Sequence, residues 1–401
     1  MAQMLTGLRY IEMSAFIAAP LAGLALAQLG AEVIRVDPPG GGLDYDRWPV
    51  TADGRSLYWA GLNKGKRSVA IDTGTPEGRH LVTSLVAASG RFLTNLPVRP
   101  WMSYATLREA RPDLIMAAIK GNRDGSVAVD YTVNAATGLT TMLGPERAEG
   151  TPINQVLPAW DIICAHSVAT GLVAAELHWL QTGRGQLVEA ALSDVAFAHL
   201  GHLGILAEAE TTGRDRPPIG NHIYGSLGRD FATADGRRIM IGVVTARHWE
   251  ALVKAAGIGE AVAAIARQTG LDLAENGGRF KARRSIEAIL EPWFARQTLA
   301  AAGAVLTAAG IPWGPYQTAT QALSEDPRVS PANPTFARVA NPGIGPLLVP
   351  GTPLDFSDVP RDAPAAAPLL GQDTAAVLGE VLGLGADRFA ALQASGVVAT
   401  A

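Results

Sequence analysis

One carboxylate of this sequence has surroundings that suit chemistry. Asp161 follows Pro158 in the stretch VLPAWDIICAH and precedes a long apolar run that predicts a helix. A short acidic side chain at a helix start can cap the helix, because it accepts hydrogen bonds from backbone N–H groups that lack partners and faces the positive end of the helix dipole. Capping is the ordinary explanation, and the rest of the sequence decides whether Asp161 also does chemistry.

Three other kinds of active site lack their sequence signals. Asp37 closes a predicted β-α-β unit, as in dinucleotide enzymes, but the first turn, residues 14–20, reads SAFIAAP and contains no G-x-G-x-x-G. His199 and His202 have the spacing of helical neighbours without a matching acidic or cysteine partner motif, and such pairs are more often core or surface residues than metal ligands. No G-x-S-x-G elbow is present. Asp161 therefore remains the candidate.

Composition limits the class of protein. The 401 residues are 48% hydrophobic and 17% charged, which predicts a sizeable core and two domains. The net charge of -4, without a run of basic residues, argues against nucleic acid or an anionic membrane as partner and favours small molecules or a second copy of the chain. Cys164 is the single cysteine, which excludes an internal disulfide and fits a reducing compartment, so we expect a cytoplasmic protein.

The predicted elements that must position Asp161 alternate between strands and helices. Residues 13–27 are apolar like a signal peptide core, but Arg9 and Glu12 precede them and Pro20 interrupts them, so we interpret them as part of a β-α-β unit and expect no transmembrane span. Strands are predicted at 8–13, 31–37, 68–72, 91–95 and 114–120, helices at 20–30, 76–89, 161–181 and near 373–393, and a hairpin at 230–244 around Asp235 and Gly236. This order predicts an open α/β sheet.

At this point the sequence resembles a known family over nearly its whole length. The blocks are, in order, GLRYIEMSAFIAAPLAGLALAQLGAEVIRVDPPGGG, LNKGKRSVAID, FLTNL, RPDLIMAAIKG, PAWD, TGRGQLVEAALSD, IPWGPYQ and APLLGQDTAAVLGEVLGL. Together they resemble the family III CoA-transferases in order and spacing. Within the family, GGGLDYDRWPV, LYWAGLNKGKRS, DGSVAVDYTVN, VLPAWDI and GNHIYGSLGRDF most resemble members that move CoA between the two carboxyl groups of mesaconate.

The resemblance implies that Asp161 is a nucleophile. In the family the aspartate at this position attacks the acyl-CoA thioester, giving a mixed anhydride and CoA thiolate, and the thiolate then forms an aspartyl-CoA thioester. The carboxylate must be ionised to attack and must afterwards leave, and we expect the helix N-terminus to lower its pKa. Capping and catalysis are compatible roles for one carboxylate.

The resemblance also implies positions that bind CoA and a loop that closes over the nucleophile. The CoA positions are Ile17, Ala18, Ile71, Asp72, Thr73, Asn95, Leu96, Arg99, Asp130 and Tyr131, although Arg99 could equally be a solvated loop residue and Tyr131 a core aromatic. The lid loop is Tyr224, Gly225, Ser226 and Gly228. Pro38 replaces a basic residue of some relatives, which leaves Lys64, Lys66 or Arg67 for the adenine end.

The implied architecture is a large Rossmann-like α/β domain with an open parallel sheet and an inserted smaller α+β domain, in an interlocked dimer. We expect the large domain at 1–210, the small domain at 222–325 and the return to the large domain at 330–401, because a Gly- and Pro-rich linker covers 211–228. The partner is an acyl-CoA, and no permanently bound cofactor and no metal are expected.

The expected reaction is intramolecular transfer that converts 2-methylfumaryl-CoA to 3-methylfumaryl-CoA. One alternative is an intermolecular transferase between a short dicarboxylyl-CoA and a free acid. A second is a 2-methylacyl-CoA racemase, but the loop 121–131 lacks the histidine that two-base chemistry would need. A third, outside enzymology, is a protein that binds CoA without catalysis.

Overall fold

The computed structural model describes residues 3–145 and 151–401. The chain divides into two compact units. The first unit comprises residues 1–137, 155–213 and 327–401, and the second comprises 138–154 and 214–326. Of the predicted first segment, residues 1, 2 and 146–150 lie outside the described residues.

The helices and strands follow one another in the order of the chain. They are β1 (Arg9–Met13), α1 (Ala18–Ala27), β2 (Glu32–Asp37), α2 (Leu57–Leu62), β3 (Arg67–Ile71), α3 (Pro76–Ser89), β4 (Arg91–Thr94), α4 (Tyr104–Ala110), β5 (Ile115–Lys120), α5 (Asp130–Ala136), α6 (Leu139–Met142), α7 (Ala159–Thr182), β6 (Leu187–Ala191), α8 (Leu192–His202), α9 (Ile205–Thr212), β7 (Leu227–Ala232), β8 (Arg238–Val243), α10 (Ala246–Ala256), α11 (Gly259–Thr269), α12 (Asn276–Lys281), α13 (Arg283–Ala295), α14 (Leu299–Ala308), β9 (Trp313–Pro315), α15 (Ala319–Glu325), β10 (Phe336–Asn341), β11 (Gly345–Pro350), α16 (Thr374–Leu382), α17 (Ala386–Ala394) and β12 (Val398–Ala399). Short 3₁₀ turns lie at Pro100–Met102 and Pro327–Val329.

The first unit is built on a seven-stranded sheet. Its strand order is β12-β3-β2-β1-β4-β5-β6, and all neighbours are parallel except the short β12, which runs antiparallel to β3. The central strand β1 pairs Ile11 with Ile34 on one side and with Phe92 on the other. Parallel strands place their carboxyl ends at one edge of the sheet, where ligands of open α/β proteins bind. The expected fold class is confirmed.

The first β-α-β unit brings a helix unusually close to the sheet. Pro20 lies in the first turn of α1, where its missing N–H costs nothing. Gly23 faces the sheet, and a Cβ atom there would lie 1.8 Å from Oε2 of Glu12. Glycine therefore permits this approach of α1 over β1. The apolar residues of the strands and α3 form the core on the sheet, among them Ile11, Ile34 and Phe92.

Helix α7 is the longest helix of the described chain, with 24 residues. By length and composition alone it could cross a membrane, and it is the one such helix among the described residues. Its buried side, which includes Trp160, Cys164, Val168 and Leu172, packs against α1 and the sheet. The core helix of a globular domain meets the same length and composition criteria, so the observation favours neither role.

The second unit has its own sheet and its own core. Strands β7 and β8 form the predicted hairpin, with Phe231 opposite Ile239, and β9 adds to β8 in antiparallel direction. Helices α10 to α14 bury apolar residues against this sheet, such as Trp249, Leu290 and Phe294. A separate hydrophobic core is what an independent domain requires.

The observed boundaries differ from the expected ones in one segment. Residues 138–154 were expected in the large domain but cluster with the second unit, where the N–H of Gly220 donates to the carbonyl of Gly144 at 3.0 Å. Hydrogen bonds to a distant part of the chain leave no local sequence signal. The last predicted helix is in fact two helices, α16 and α17, because Gly383 ends the first in a left-handed conformation, with φ of 68°.

Candidate active site

Asp161 lies in the first turn of α7 but does not cap it. The helix begins at Ala159, Pro158 holds the cap position without a side-chain hydrogen bond, and Asp161 is the third helical residue. The cap is supplied by Asp130 instead, whose Oδ2 accepts from the backbone N–H groups of Trp160 at 2.7 Å and Asp161 at 3.0 Å. The expectation that Asp161 caps its own helix is wrong, because the helix starts two residues before it and another carboxylate takes the free donors.

Further contacts fix the start of α7 against α5. The indole Nε1 of Trp160 donates to Oδ1 of Asn134 at 3.0 Å, and both side chains are buried. The hydroxyl of Tyr131 donates to the carbonyl of Val156 at 3.3 Å. These bonds hold the two helix starts in a fixed relation, so the carboxyl groups of Asp130 and Asp161 stay close to each other.

Glu176 anchors α7 farther along its length. Its Oε1 accepts from the hydroxyl of Tyr10 in β1 at 2.8 Å, and its Oε2 accepts from Nη2 of Arg91 in β4 at 2.7 Å. Glu176 is buried, so this charge-assisted pair is strong. The helix that carries Asp161 is therefore tied to the sheet as well as to α5.

The environment raises the pKa of Asp161 to about 7. Burial is the largest cause and the nearby charge of Asp130 is the second, while Arg47 opposes both. The expected lowering of this pKa by the helix N-terminus is wrong, because the two N–H groups that would stabilise the charge donate to Asp130. Within the described chain, Oδ1 of Asp130 has no hydrogen-bond partner, and burial raises its pKa as well.

The carboxyl end of β1 contributes a strained turn to the same region. Phe16 has φ of 63°, a left-handed conformation that residues other than glycine rarely adopt. Its N–H donates to Oδ1 of Asp44 at 2.9 Å. The side chain of Asn95 binds both backbone groups of Ala15, accepting from its N–H at 2.8 Å and donating to its carbonyl at 2.6 Å. These polar contacts hold the turn in place.

The sequence-predicted CoA positions of three strands lie along one edge of the sheet. Ile17 and Ala18 follow β1, Asp72 and Thr73 follow β3, and Asn95 and Leu96 follow β4. Ile17, Asp72, Thr73, Asn95 and Leu96 are half-buried, and Arg99 is exposed. The sheet thus brings most of the set together at the edge where a ligand would lie.

At three of the predicted CoA positions the side chain is buried, so a ligand cannot contact it. Ile71 is fully buried in the sheet core, Ala18 is buried in the first turn of α1, and Asp130 is buried under the start of α7. Asp130 caps α7 and raises the pKa of Asp161. Its buried side chain does not fit the expected direct contact with CoA. Tyr131 is exposed, which makes the core-aromatic interpretation of this residue wrong.

The predicted lid loop belongs to the second unit and is only partly exposed to solvent. Tyr224 and Gly225 are exposed. The buried hydroxyl of Ser226 donates to the carbonyl of Val243 at 2.9 Å, and Gly228 lies within β7. A Cβ at Gly228 would lie 2.8 Å from the carbonyl of Ile241, so this glycine serves close strand packing rather than movement.

The lysines and arginine considered for the adenine end differ in availability. Nζ of Lys66 is buried and donates to Glu12 at 2.8 Å, and Arg67 pairs with Glu32 at 2.8 Å and Glu380 at 2.7 Å. Burial lowers the pKa of Lys64 to about 8. Of the three, Lys64 is the one whose side chain is not held by an ion pair within residues 3–145 and 151–401.

No group of three or more metal-binding side chains occurs among the described residues. The rings of His199 and His202 contact each other edge to face in α8, with 5.9 Å between centroids. Nδ1 of His199 lies 2.7 Å from the carbonyl of Val195, one turn earlier in the same helix. This is the arrangement of helical neighbours, in line with the ordinary interpretation of this pair.

Arg47 and Tyr58 were missed as site residues. Both interact electrostatically with Asp161, and they lie between β2 and the first turn of α2. The available signal was the mixture of charged and aromatic residues in GGGLDYDRWPV and LYWAGLN, which marked both segments as distinctive without giving them a role.

Comparison with known proteins supplies the family. The model of "CoA-transferase family III" matches residues 5–374. The chain is 51% identical over 98% of both lengths to the 2-methylfumaryl-CoA isomerase of Chloroflexus aurantiacus, and 28% identical over 98% of both to a succinyl-CoA–D-citramalate CoA-transferase of the same organism. Among solved structures, a CAIB/BAIF family protein from Brucella suis is similar, with a TM-score of 0.78, 25% identity and coverage of 95% of this chain and all of that one. The chain belongs to the family III CoA-transferases.

Proposed function

We propose that this protein moves CoA between the two carboxyl groups of mesaconate and so converts 2-methylfumaryl-CoA to 3-methylfumaryl-CoA. The similarity to the Chloroflexus isomerase over almost the full length carries the proposal. The geometry agrees with it, because a half-buried carboxylate, Asp161, lies in the first turn of α7 and accepts no side-chain or backbone hydrogen bond from the described residues.

The reaction proceeds through four acyl transfers at Asp161. The Asp161 carboxylate attacks the thioester carbon, the C–S bond breaks, and CoA leaves as a thiolate from a mixed anhydride. The thiolate then attacks the Asp161 carbonyl of the anhydride and releases mesaconate, leaving an aspartyl-CoA thioester. The other carboxylate of the same mesaconate attacks this thioester, and the released thiolate attacks the mesaconyl carbonyl of the new anhydride, which regenerates the Asp161 carboxylate.

The raised pKa of Asp161 suits this sequence of steps. Asp161 alternates with CoA thiolate as nucleophile and leaving group, and an ordinary thiol has a pKa of roughly 8.5. A carboxyl pKa of about 7 brings the two groups closer in basicity than an ordinary aspartate would be. The attack on the thioester is then energetically less unfavourable, and about half of the carboxylate is still ionised in neutral solution.

Retention of mesaconate explains how one enzyme can do both halves of the reaction. A carboxylate held beside the aspartyl-CoA thioester has a high effective concentration compared with a free acid. Substrate and product are thioesters of one molecule, so neither ATP nor a metal is required. We place the pantetheine and nucleotide of CoA along the sheet edge formed by Ile17, Asp72, Asn95 and their neighbours, with Arg99 near a phosphate and Tyr131 near the thioester.

The remaining features of the proposal follow from family likeness. The active form is an interlocked homodimer in the cytoplasm, without a permanently bound cofactor. The exposed part of the predicted lid, Tyr224 and Gly225, closes over the aspartyl intermediate. The second unit, with boundaries near residues 214 and 326, acts as the inserted small domain.

The second candidate function is intermolecular transfer to a free acid. The similarity to a succinyl-CoA–D-citramalate CoA-transferase favours it. Racemisation is the weaker alternative, and exchange of a substrate α-hydrogen with deuterated water tests it directly. Binding without catalysis would give a complex with acyl-CoA but no covalent adduct.

One isotope experiment separates intramolecular from intermolecular transfer. Unlabelled mesaconyl-CoA is incubated with the enzyme and an excess of carbon-13-labelled free mesaconate or succinate, the isomeric thioesters are separated by chromatography, and the label in each is followed by mass. Isomerisation without entry of label supports the proposal. Label that enters the thioester at the rate of turnover identifies an intermolecular enzyme, and no change in the thioester would refute both.

A further inference from the structure

The guanidinium group of Arg47 contacts two aromatic rings. Its Cζ lies 4.9 Å from the ring centroid of Phe16 and 4.8 Å from that of Tyr58. Contact with aromatic rings restricts the guanidinium group without using its N–H groups, which remain able to donate hydrogen bonds. Within the described chain these N–H groups make no hydrogen bond and no ion pair, so a planar fork of donors is positioned without a bound acceptor.

An acidic side chain that interacts with Arg47, Asp44, already has other hydrogen-bond donors. Asp44 accepts from the N–H of Phe16 through Oδ1 at 2.9 Å and from Nη2 of Arg35 through Oδ2 at 3.3 Å. Asp44 is buried, and burial raises its pKa despite these contacts. Asp44 therefore supports the turn that carries Phe16 and does not neutralise Arg47 by direct contact.

A second donor beside Arg47 also lacks a partner. The hydroxyl of Tyr58 is buried and makes no hydrogen bond to the described residues. A buried hydroxyl without a partner is costly, so it points to a group that is present when the site is occupied. A guanidinium fork and a hydroxyl side by side are complementary to a carboxylate, which accepts several hydrogen bonds through two oxygens.

The two donors lie within electrostatic range of the nucleophile. The charge of Arg47 acts on Asp161, and Tyr58 is affected by Asp44, Asp161 and Tyr131 as well as by Arg47. A small acid that reacts at Asp161 would therefore bring a second carboxylate within reach of Arg47. A monocarboxylic acid would leave both donors empty.

We propose that Arg47, with the hydroxyl of Tyr58, binds the free carboxylate of a dicarboxylyl group while the other carboxyl reacts at Asp161. The proposal rests on the proposed function and names the residues that make it intramolecular. The fumarate skeleton is two-fold symmetric apart from one methyl group. After a half turn of the retained acid, the same anchor holds the carboxylate that has reacted and presents the other one to the aspartyl-CoA thioester.

The test compares thioesters of a dicarboxylic and a monocarboxylic acid of equal length. Wild type, Arg47→Met and Arg47→Lys are each mixed with succinyl-CoA or butyryl-CoA, and the rate of covalent labelling of Asp161 is measured after hydroxylamine trapping. We expect Arg47→Met to lower the ratio of succinyl to butyryl labelling by roughly ten- to a hundredfold, the value of a charge-assisted carboxylate contact, in addition to any loss common to both thioesters that follows from removing a positive charge near Asp161. Arg47→Lys keeps the charge without the fork and should fall between.

Arg55→Met is the matched control, because Arg55 is an exposed arginine of the same segment that stacks on no ring and pairs with no acid in the described chain. It should keep the succinyl preference of wild type. Unchanged preference in Arg47→Met would overturn the proposal, and so would an equal loss with both thioesters, because Arg47 would then serve Asp161 instead of the ligand. The readout does not require isomerisation, so failure of the mesaconate reaction in wild type would be seen separately.

In mesaconyl-CoA turnover, Arg47→Met gives a second readout. A retained acid that has lost its anchor should escape before the second half of the reaction. We therefore expect labelled free mesaconate to enter the thioester in Arg47→Met and not in wild type. Absence of label in both proteins, with comparable turnover, would contradict a retaining role of Arg47.

Discussion

Two clusters of buried charged residues in the first unit differ in how their charges are paired. Under α1, Lys66 donates to Glu12 at 2.8 Å and Arg35 donates to Asp37 at 2.9 Å, so each acid faces a base. At the start of α7, Asp130 and Asp161 are two acids side by side. In the paired cluster each acidic side chain contacts a basic one, whereas the acidic pair holds a carboxyl whose charge is destabilised and which is therefore ready to react.

The two clusters differ in which acidic groups accept the available hydrogen-bond donors. In the cluster under α1, Nζ of Lys66 also donates to the carbonyl of Pro20 at 2.8 Å and to Asn63 at 3.0 Å. At α7, both free N–H groups of the first turn donate to Asp130, and none is left for the carboxylate of Asp161. An ionised carboxylate that is partly buried without a donor costs free energy, so at the start of α7 that cost falls on the group that needs reactivity.

Replacing Asp161 tests the reactive cluster with the largest expected effect. Asp161→Asn keeps the shape and removes the attacking oxygen anion, so we expect turnover to fall by about 10⁴-fold or more. Circular dichroism and the thermal midpoint should show an intact fold, because Asp161 does not cap α7. Activity within tenfold of wild type would mean that a residue other than Asp161 is the nucleophile that forms the acyl intermediate.

Replacing Lys66 tests the paired cluster. Lys66→Met leaves Glu12 without its closest base in a fully buried place, and we expect the free energy of unfolding to fall by about 3 to 5 kcal/mol. Lys254→Met, at an exposed lysine of α10, is the control and should change it by less than about 0.5 kcal/mol. Denaturant titration measures both, and equal small changes would show that the cluster under α1 adds little stability.

Asp130→Asn converts the acidic pair into a single acid. The amide oxygen can still accept from Trp160 and Asp161, but the charge that raises the pKa of Asp161 is gone. We expect the pH at which activity rises, near 7 in wild type, to move to lower pH, with a modest loss of rate. An unchanged pH profile with intact folding would show that Asp130 acts on Asp161 only through the helix.

Asp130→Ala is the companion variant. It removes the cap as well as the charge, so it should lower the free energy of unfolding by roughly 0.5 to 2 kcal/mol, in contrast to Asp130→Asn.

The pH dependence of stability gives the smallest expected effect. The folded pKa of Asp161 is raised to about 7 from an ordinary 3.8, so the folded state keeps a proton that the unfolded state loses. This group therefore lowers stability as pH rises from about 4 to about 7, and has no further effect above that range. We expect Asp161→Asn to be more stable than wild type by about 1 to 2 kcal/mol at pH 8, after allowance for solvent screening, and equal to it near pH 4. A difference that is independent of pH would contradict the raised pKa.

The sequence was sufficient for the parts that depend on local pattern. The strands that carry Ile11, Ile34 and Phe92 and the hairpin at Asp235 follow from apolar runs and turn residues, and the confirmed α/β class follows from their order. Asp161 could be singled out because a proline turn and an apolar helix flank it.

The parts that the sequence did not predict depend on contacts between distant residues. The cap of α7 comes from Asp130, 31 residues before Asp161, and the helix periodicity around either residue carries no sign of it. The stacking of Arg47 on Phe16 likewise joins two loops that only the sheet brings together. The raised pKa of Asp161 follows from its burial and from the charge of Asp130, which is why the expectation from the isolated helix had the wrong direction.

Covalent trapping tests the central assignment most directly. Wild type is incubated with mesaconyl-CoA, quenched with hydroxylamine or borohydride, digested and analysed by mass spectrometry, with Asp161→Asn as the blank. We predict modification at Asp161 in the peptide that begins α7, none at the neighbouring acid Asp130, and none in the blank. Modification at any other carboxylate, or steady turnover without a trapped adduct at Asp161, would contradict the account.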